Sequence, residues 1–277
     1  MRCNGLPATF GILFNMKLSS IIASRHRDTR QDLLFTVDAS INTTLTITNL
    51  TTSSSESYSG LINWGDGSAD TPLTGVLTGS TIPHTFASTG TFQVRVSGAY
   101  VPFIGADAQT NVVSIESFGN IGLVGTNTMF RDCTNLVSAR TGNNIPTIGI
   151  SMFNGCTSLT SINLPSSSTM SLGTAAIRGC TSLTSFVISN NFVGIGGSAF
   201  ENCSNLASVT IGSGVSSLGS YVFRGCTSLG SISCLATTAP TLGTSVFGTV
   251  TATTIDVPVG ATGYSSTYGG LTVNYVL

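Results

Sequence analysis

The chain has 277 residues, enough for two folded units, yet only 8% of them are charged and the formal net charge is −1. Ordinary globular proteins carry roughly a quarter charged residues, so solubility here rests on Ser, Thr, Gly and Asn. Half of the ten basic residues (Arg2, Lys17, Arg25, Arg27 and Arg30) precede residue 33, and five arginines against nine acidic residues follow, which leaves no basic footprint for a nucleic-acid backbone.

Residues 1–32 have no clean periodicity. They read either as a basic arm, with Arg25, Arg27 and Arg30 as attachment residues that order against a partner, or as a disordered tail. The apolar stretch 10–23 follows an early arginine, as a secretory leader would. Asn15 and Lys17 interrupt it, however, and Arg25-His26-Arg27 stands where a small-residue cleavage site is expected. No stretch approaches the roughly 20 apolar residues that a bilayer span needs.

From Leu33 the pattern becomes alternation. Phe35 and Val37, then Leu45 and Ile47, predict half-buried antiparallel strands. The Ser/Thr run 51–57 reads as a loop. Leu61 to Trp64 reads as a strand ending at the turn Gly65-Asp66-Gly67-Ser68, with Trp64 as core anchor. His84-Thr85-Phe86 reads as a turn, and Gly90-Thr91-Phe92-Gln93-Val94-Arg95-Val96 as a closing strand. Asp66 and Asp70 flank the glycine turn and are the candidate calcium ligands, against the plainer reading that Asp66 only stabilises the turn.

Three elements in order, Trp64 to Ser68, His84 to Phe86 and Gly90 to Val96, resemble the PKD domain, an immunoglobulin-like β-sandwich. The resemblance covers 33–98. It is shorter than many members, so an edge strand is expected to be missing or rebuilt. The family implies a spacer or binding module, not an active site. A joint spans 99–112.

Beyond it, Phe130/Cys133, Phe153/Cys156, Ile177/Cys180, Phe200/Cys203 and Phe223/Cys226 recur with a period of 23 to 24 residues. A unit that small cannot bury its own apolar face, so the units must stack into a solenoid. Each carries an apolar residue plus glycine (Ile148-Gly149, Leu172-Gly173, Ile195-Gly196, Leu218-Gly219, Leu242-Gly243), then the aromatic, the cysteine and a strand. In strands such as 159–164 and 206–211 the apolar positions point inward, and Ser, Thr and Asn outward. Cys234 falls where other strands carry isoleucine or leucine. The cysteines read as buried small hydrophobes, although stacking about 5 Å apart would also allow bridging between neighbours. A zinc site is disfavoured because its four ligands must converge, whereas these form a line.

Blocks such as Phe153-Asn154-Gly155-Cys156-Thr157-Ser158-Leu159 and Phe223-Arg224-Gly225-Cys226-Thr227-Ser228-Leu229 resemble the BspA-type leucine-rich repeats over 113–277. Residues 236–277 look like the family's C-terminal cap. Ile177 in place of Phe, and Phe247 without a cysteine, depart from the pattern.

Two histidines, one lysine and three glutamates (Glu56, Glu116, Glu201) in the whole chain give catalysis little to work with. The expectation is a mainly β, non-enzymatic protein without a cofactor. Its outward Ser, Thr and Asn ladders suit a host-surface protein or glycan. The two resemblances together imply a phage virion fibre or decoration protein, held to a capsid or tail protein by residues 1–32 and possibly homo-oligomeric by analogy with fibres. An exported bacterial adhesin and a purely structural cement protein are the alternatives.

Overall fold

A computed structural model describes residues 32–49, 59–74, 81–99, 104–105, 108–119, 128–140, 147–164 and 169–276, and these residues form strands and turns without a helix. The arginines of the arm, Cys3 and the Ser/Thr run 51–57 lie outside them.

The N-terminal unit has seven strands: β1 (Leu33–Asp38), β2 (Thr44–Asn49), β3 (Ser59–Asn63), β4 (Thr71–Thr74), β5 (Thr81–Thr85), β6 (Thr91–Ala99) and β7 (Ile104–Gly105). Alternation does what the sequence predicts. Leu33, Phe35 and Val37 of β1 are buried, as are Leu45 and Ile47 of β2 and Val94 and Val96 of β6. The segment read as a turn at His84-Thr85-Phe86 is instead the end of a strand. Leu45 pairs with His84 in an antiparallel β2–β5 ladder, and β-branched Thr81, Ile82 and Thr85 suit that extended backbone. The joint also differs from expectation, because β7 within it pairs with β2.

Strand β8 (Val112–Ser117) opens the solenoid and pairs in two directions. It is antiparallel to β1 and parallel to β9 (Ser138–Arg140), which is parallel to β11 (Ser161–Asn163). One seven-stranded sheet, β4-β3-β6-β1-β8-β9-β11, therefore runs from the N-terminal unit into the solenoid. The cores merge as well: the Phe35 ring stands edge-on to Phe130 at 6.2 Å, and Phe118 meets Phe130 and Phe153 in the same way.

The remaining solenoid has two walls. Short strands β10 (Thr147–Ile148), β12 (Met170–Leu172), β14 (Phe192–Ile195), β16 (Ser217–Leu218) and β18 (Thr241–Leu242) make one parallel sheet. Strands β13 (Ser185–Ile188), β15 (Ser208–Ile211), β17 (Ser231–Cys234), β19 (Thr254–Val257) and β21 (Leu271–Tyr275) make the other, closed by antiparallel β20 (Thr267–Tyr268).

Between the walls the phenylalanines form a column. Phe130 stacks on Phe153, Phe200 on Phe223 at 5.3 Å, and Phe223 on Phe247 at 5.7 Å. Ile177 interrupts this column. A ring returns at Phe186, where the neighbouring strands hold Val209 and Ile232, and it meets Phe200 edge-on at 4.9 Å. Each buried cysteine donates its thiol to a carbonyl of the preceding unit: Cys156 to Phe130, Cys180 to Phe153, Cys203 to Ile177 and Cys226 to Phe200, at 3.0–3.2 Å.

The glycine after each short strand marks the tightest approach. A Cβ on Gly196 would lie 2.6 Å from the Gly173 carbonyl carbon, and one on Gly219 2.5 Å from the Gly197 nitrogen. Successive units stack backbone on backbone there, so no side chain fits. At the far end Tyr264 and Tyr268 donate their hydroxyls to the carbonyls of Ala236 and Pro240, covering the last turns.

Candidate functional site

Parallel register turns repetition in sequence into rows on the exposed wall. Ser114, Ser138 and Ser161 stand side by side, as do Ser185, Ser208 and Ser231 farther along. Two residues on in each strand, a second row includes Arg140 and Asn163, then Val187, Thr210, Ser233, Asp256 and Asn274. The wall is uncharged over most of its length. Val187 is an exception of another kind, an apolar side chain 65% exposed.

The wall is also broken. Strands β11 and β13 come from consecutive units but belong to different sheets, and the unit between them has 24 residues where its neighbours have 23. At this break lies a cavity of about 700 Å³ lined by Ser114, Glu116, Ser138, Arg140, Asn163 and Val187, among others. A second cavity of about 440 Å³ shares Val187 and Ser189 with it. Glu116 Oε1 accepts hydrogen bonds from the Thr36 and Ser114 hydroxyls, which ties the cavity wall to the N-terminal unit. Exposed Arg140 has no carboxylate within ion-pair distance among the described residues.

The other solenoid arginines are occupied. Arg131 lies beside Asp132, and Arg178 and Arg224 flank Glu201, whose side chain is only 4% exposed. Burial pushes the Glu201 carboxyl up, but the hydrogen bonds from Arg224 and Ser198 and the two guanidinium charges outweigh it and hold the carboxyl below its usual range. Residues 178, 201 and 224 recur with the repeat, so this charge stack was readable from the period.

In the N-terminal unit, the Trp64 ring stacks on His84 at 4.3 Å, His84 Nε2 lies 2.7 Å from Asp66 Oδ2, and Trp64 Nε1 donates to the Thr71 hydroxyl. His84 also meets Phe86 edge-on, and Phe86 stacks on Phe92. Gly65, at φ 78°, lets the turn pass over the Gln93 backbone, where a Cβ would sit 2.4 Å from the carbonyl oxygen. Gly67 and Gly90 also take positive φ. The two candidate calcium ligands have separate partners: Asp66 accepts from Ser68 and contacts His84, while Asp70 accepts from Asn63 Nδ2. No group of three or more His, Cys, Asp or Glu that could hold a metal occurs among the described residues.

Burial pushes the Asp66 carboxyl up, but the Ser68 hydroxyl, His84 and the Ser68 N–H overcome this and hold it at about 2. Because that lies below the 3.8 of a free side chain, Asp66 stabilises the folded state above pH 3.8, and the contribution disappears as pH falls toward 2. Urea titrations followed by Trp64 fluorescence should therefore show stability falling across that window, with a shallower fall in Asp66→Asn. Equal slopes would remove Asp66 as the cause.

Cys133, Cys156, Cys180, Cys203 and Cys226 line up, buried and free. Burial pushes the Cys226 thiol up to about 12 and raises Cys180 and Cys203 as well. In a Cys3→Ser variant, Ellman's reagent should find no reactive thiol in the folded protein and six after denaturation. A native thiol reacting at the free-cysteine rate would overturn the packing role.

The serine and asparagine rows follow from outward alternation in the sequence. Arg140 and Glu116 do not, since their importance depends on the break in the sheet and on the pairing of the other arginines. The one signal in the sequence was a pair of charges at wall positions of a chain nearly devoid of them.

Residues 124–254 match the BspA type leucine rich repeat region in six copies. No curated protein matches the chain. Among solved structures the chain is similar to a *Treponema* protein, printed as T. pallidum leucine rich repeat protein, at 26% identity over 50% of this chain and 69% of that one, with a TM-score of 0.36. It is also similar to a leucine-rich repeat protein from Bacteroides ovatus at 19% identity, over 69% of this chain and 57% of that one, with a TM-score of 0.39. None of these matches indicates an enzymatic family.

Proposed function

We propose, from a BspA-type leucine-rich repeat region over residues 124–254, that the chain is a non-enzymatic adhesion or recognition protein. The exposed solenoid wall is its contact surface. The observation that carries this reading is the wall itself: in-register rows of hydroxyl and amide side chains, nearly uncharged, interrupted by one cavity holding an exposed arginine. Such a surface offers many hydrogen bonds in a fixed array and no nucleophile beside a base.

The setting we favour is a virion, with the chain as a fibre or decoration protein. This rests on the sequence resemblance, in which a PKD-like unit at 33–98 supports the repeats and the basic residues before it hold a capsid or tail protein. The stacked Trp64–His84 pair with Asp66 beneath it supports the PKD-like reading of the unit.

The test uses the full chain. Labelled protein should bind host-cell surfaces saturably, and Thr210→Arg or Ser231→Arg on the wall should reduce binding while leaving the circular dichroism spectrum unchanged. Mass spectrometry of purified particles should find the chain there. Attachment to sister virion proteins alone would leave a cement role, and recovery only from cell-surface fractions would make the chain a bacterial adhesin.

A further inference from the structure

We infer that the 700 Å³ cavity at the break in the wall binds a singly charged carboxylated sugar, with Arg140 as the residue that holds its carboxylate. The inference rests on the recognition reading above and names the ligand class of that surface.

Size comes first. Cavities of about 300 to 1,000 Å³ hold small ligands, and 700 Å³ accommodates one or two sugar rings. Charge narrows the choice. Arg140 is exposed and lacks an acidic partner among the described residues, whereas Arg131, Arg178 and Arg224 each have one. A guanidinium presents a planar fork that matches a carboxylate through two parallel hydrogen bonds.

Glu116 then limits how much negative charge the site accepts. Its carboxylate lines the same cavity and is fixed by Thr36 and Ser114. One positive and one negative group together favour a monoanion and oppose a phosphate dianion.

The remaining lining suits a sugar ring. The hydroxyls of Ser138, Ser161 and Ser189 have no hydrogen-bond partner among the described residues and can both donate to and accept from ring hydroxyls. Val187, 65% exposed at the cavity edge, supplies an apolar surface for the C–H face of a pyranose. A bare anion would use Arg140 and leave these groups idle. A neutral sugar would use the serines and leave the guanidinium without a partner.

The test is an array of matched oligosaccharides probed with full-length protein: sialyl-lactose and glucuronic-acid-terminated chains, their neutral parents, and sulfated counterparts. The carboxylated members should bind best. Arg140→Gln should weaken that binding at least tenfold and leave the neutral members unchanged, while Thr210→Ala, distant on the wall, should have no effect. Arg140 is exposed, so the Gln variant should keep the wild-type unfolding midpoint. Equal binding of acidic and neutral members, tighter binding of sulfated ones, or wild-type affinity in Arg140→Gln would overturn the inference. If host-cell binding persists under any of those results, the recognition reading stands without it. If neither glycans nor cells bind, both fall.

Discussion

Replacing Gly219 by alanine should destabilise the solenoid by about 3 kcal/mol, at the severe end for one added methyl group. The new Cβ would lie 2.5 Å from the Gly197 nitrogen and 2.8 Å from its Cα. Both are main-chain atoms held by the stack: Gly219 N–H donates to Ile195 O at 2.8 Å, and Gly196 N–H to Leu172 O at 2.7 Å. Relief would require two units to move apart, lengthening hydrogen bonds on both walls. Gly230→Ala is the matched control. Its Cβ would meet nothing closer than 3.7 Å, and its backbone does not need the left-handed region. Urea unfolding followed by far-ultraviolet circular dichroism should separate the two variants widely. Equal midpoints would mean that the glycine column is not a packing constraint.

Phe200→Ala should cost about 3 to 5 kcal/mol, the range for removing a fully buried ring. Phe200 is 0% exposed and is gripped from two sides, edge-on by Phe186 at 4.9 Å and face-on by Phe223 at 5.3 Å. No ring stands at position 177 to close over the gap. Because solenoid units contact mainly their neighbours, the damage should be local. Hydrogen exchange should quicken first in the turns around Ile177 and Phe223, while the β1–β6 ladder keeps its protection. Uniform loss of protection would show that the whole chain unfolds as one cooperative unit.

Side chains that repeat were legible from the sequence. Phe or Ile followed three residues later by Cys gave the period, and with it the register of Ser185, Ser208 and Ser231, because stacking copies one unit's geometry onto the next. The alternation at Phe35 and Val37 gave β1 for a similar reason. What was not legible depends on contacts that occur once. The pairing of β1 with β8 joins positions about 80 residues apart and leaves no periodic trace. His84 was read as part of a turn because its neighbours suited a loop, whereas its ladder with Leu45 is decided by the strand opposite. The cavity at Arg140 exists because one unit is a residue longer than its neighbours, and a single extra residue does not say which wall will open.

The glycine column and the end closures together bear on how such a chain can change. Interior units are interchangeable in geometry, since each presents the same strand, turn and thiol contact to the next, while β1 at one end and the tyrosines at the other are not. Genetic recombination between units can then add or remove about 23 codons at a time within the interior and leave both ends intact. Each such event would move the far end of the molecule by one inter-strand step of about 4.8 Å. Reach can therefore evolve in discrete increments, whereas the 24-residue unit that opens the cavity is the one place where losing a single codon would erase a binding surface without shortening the molecule.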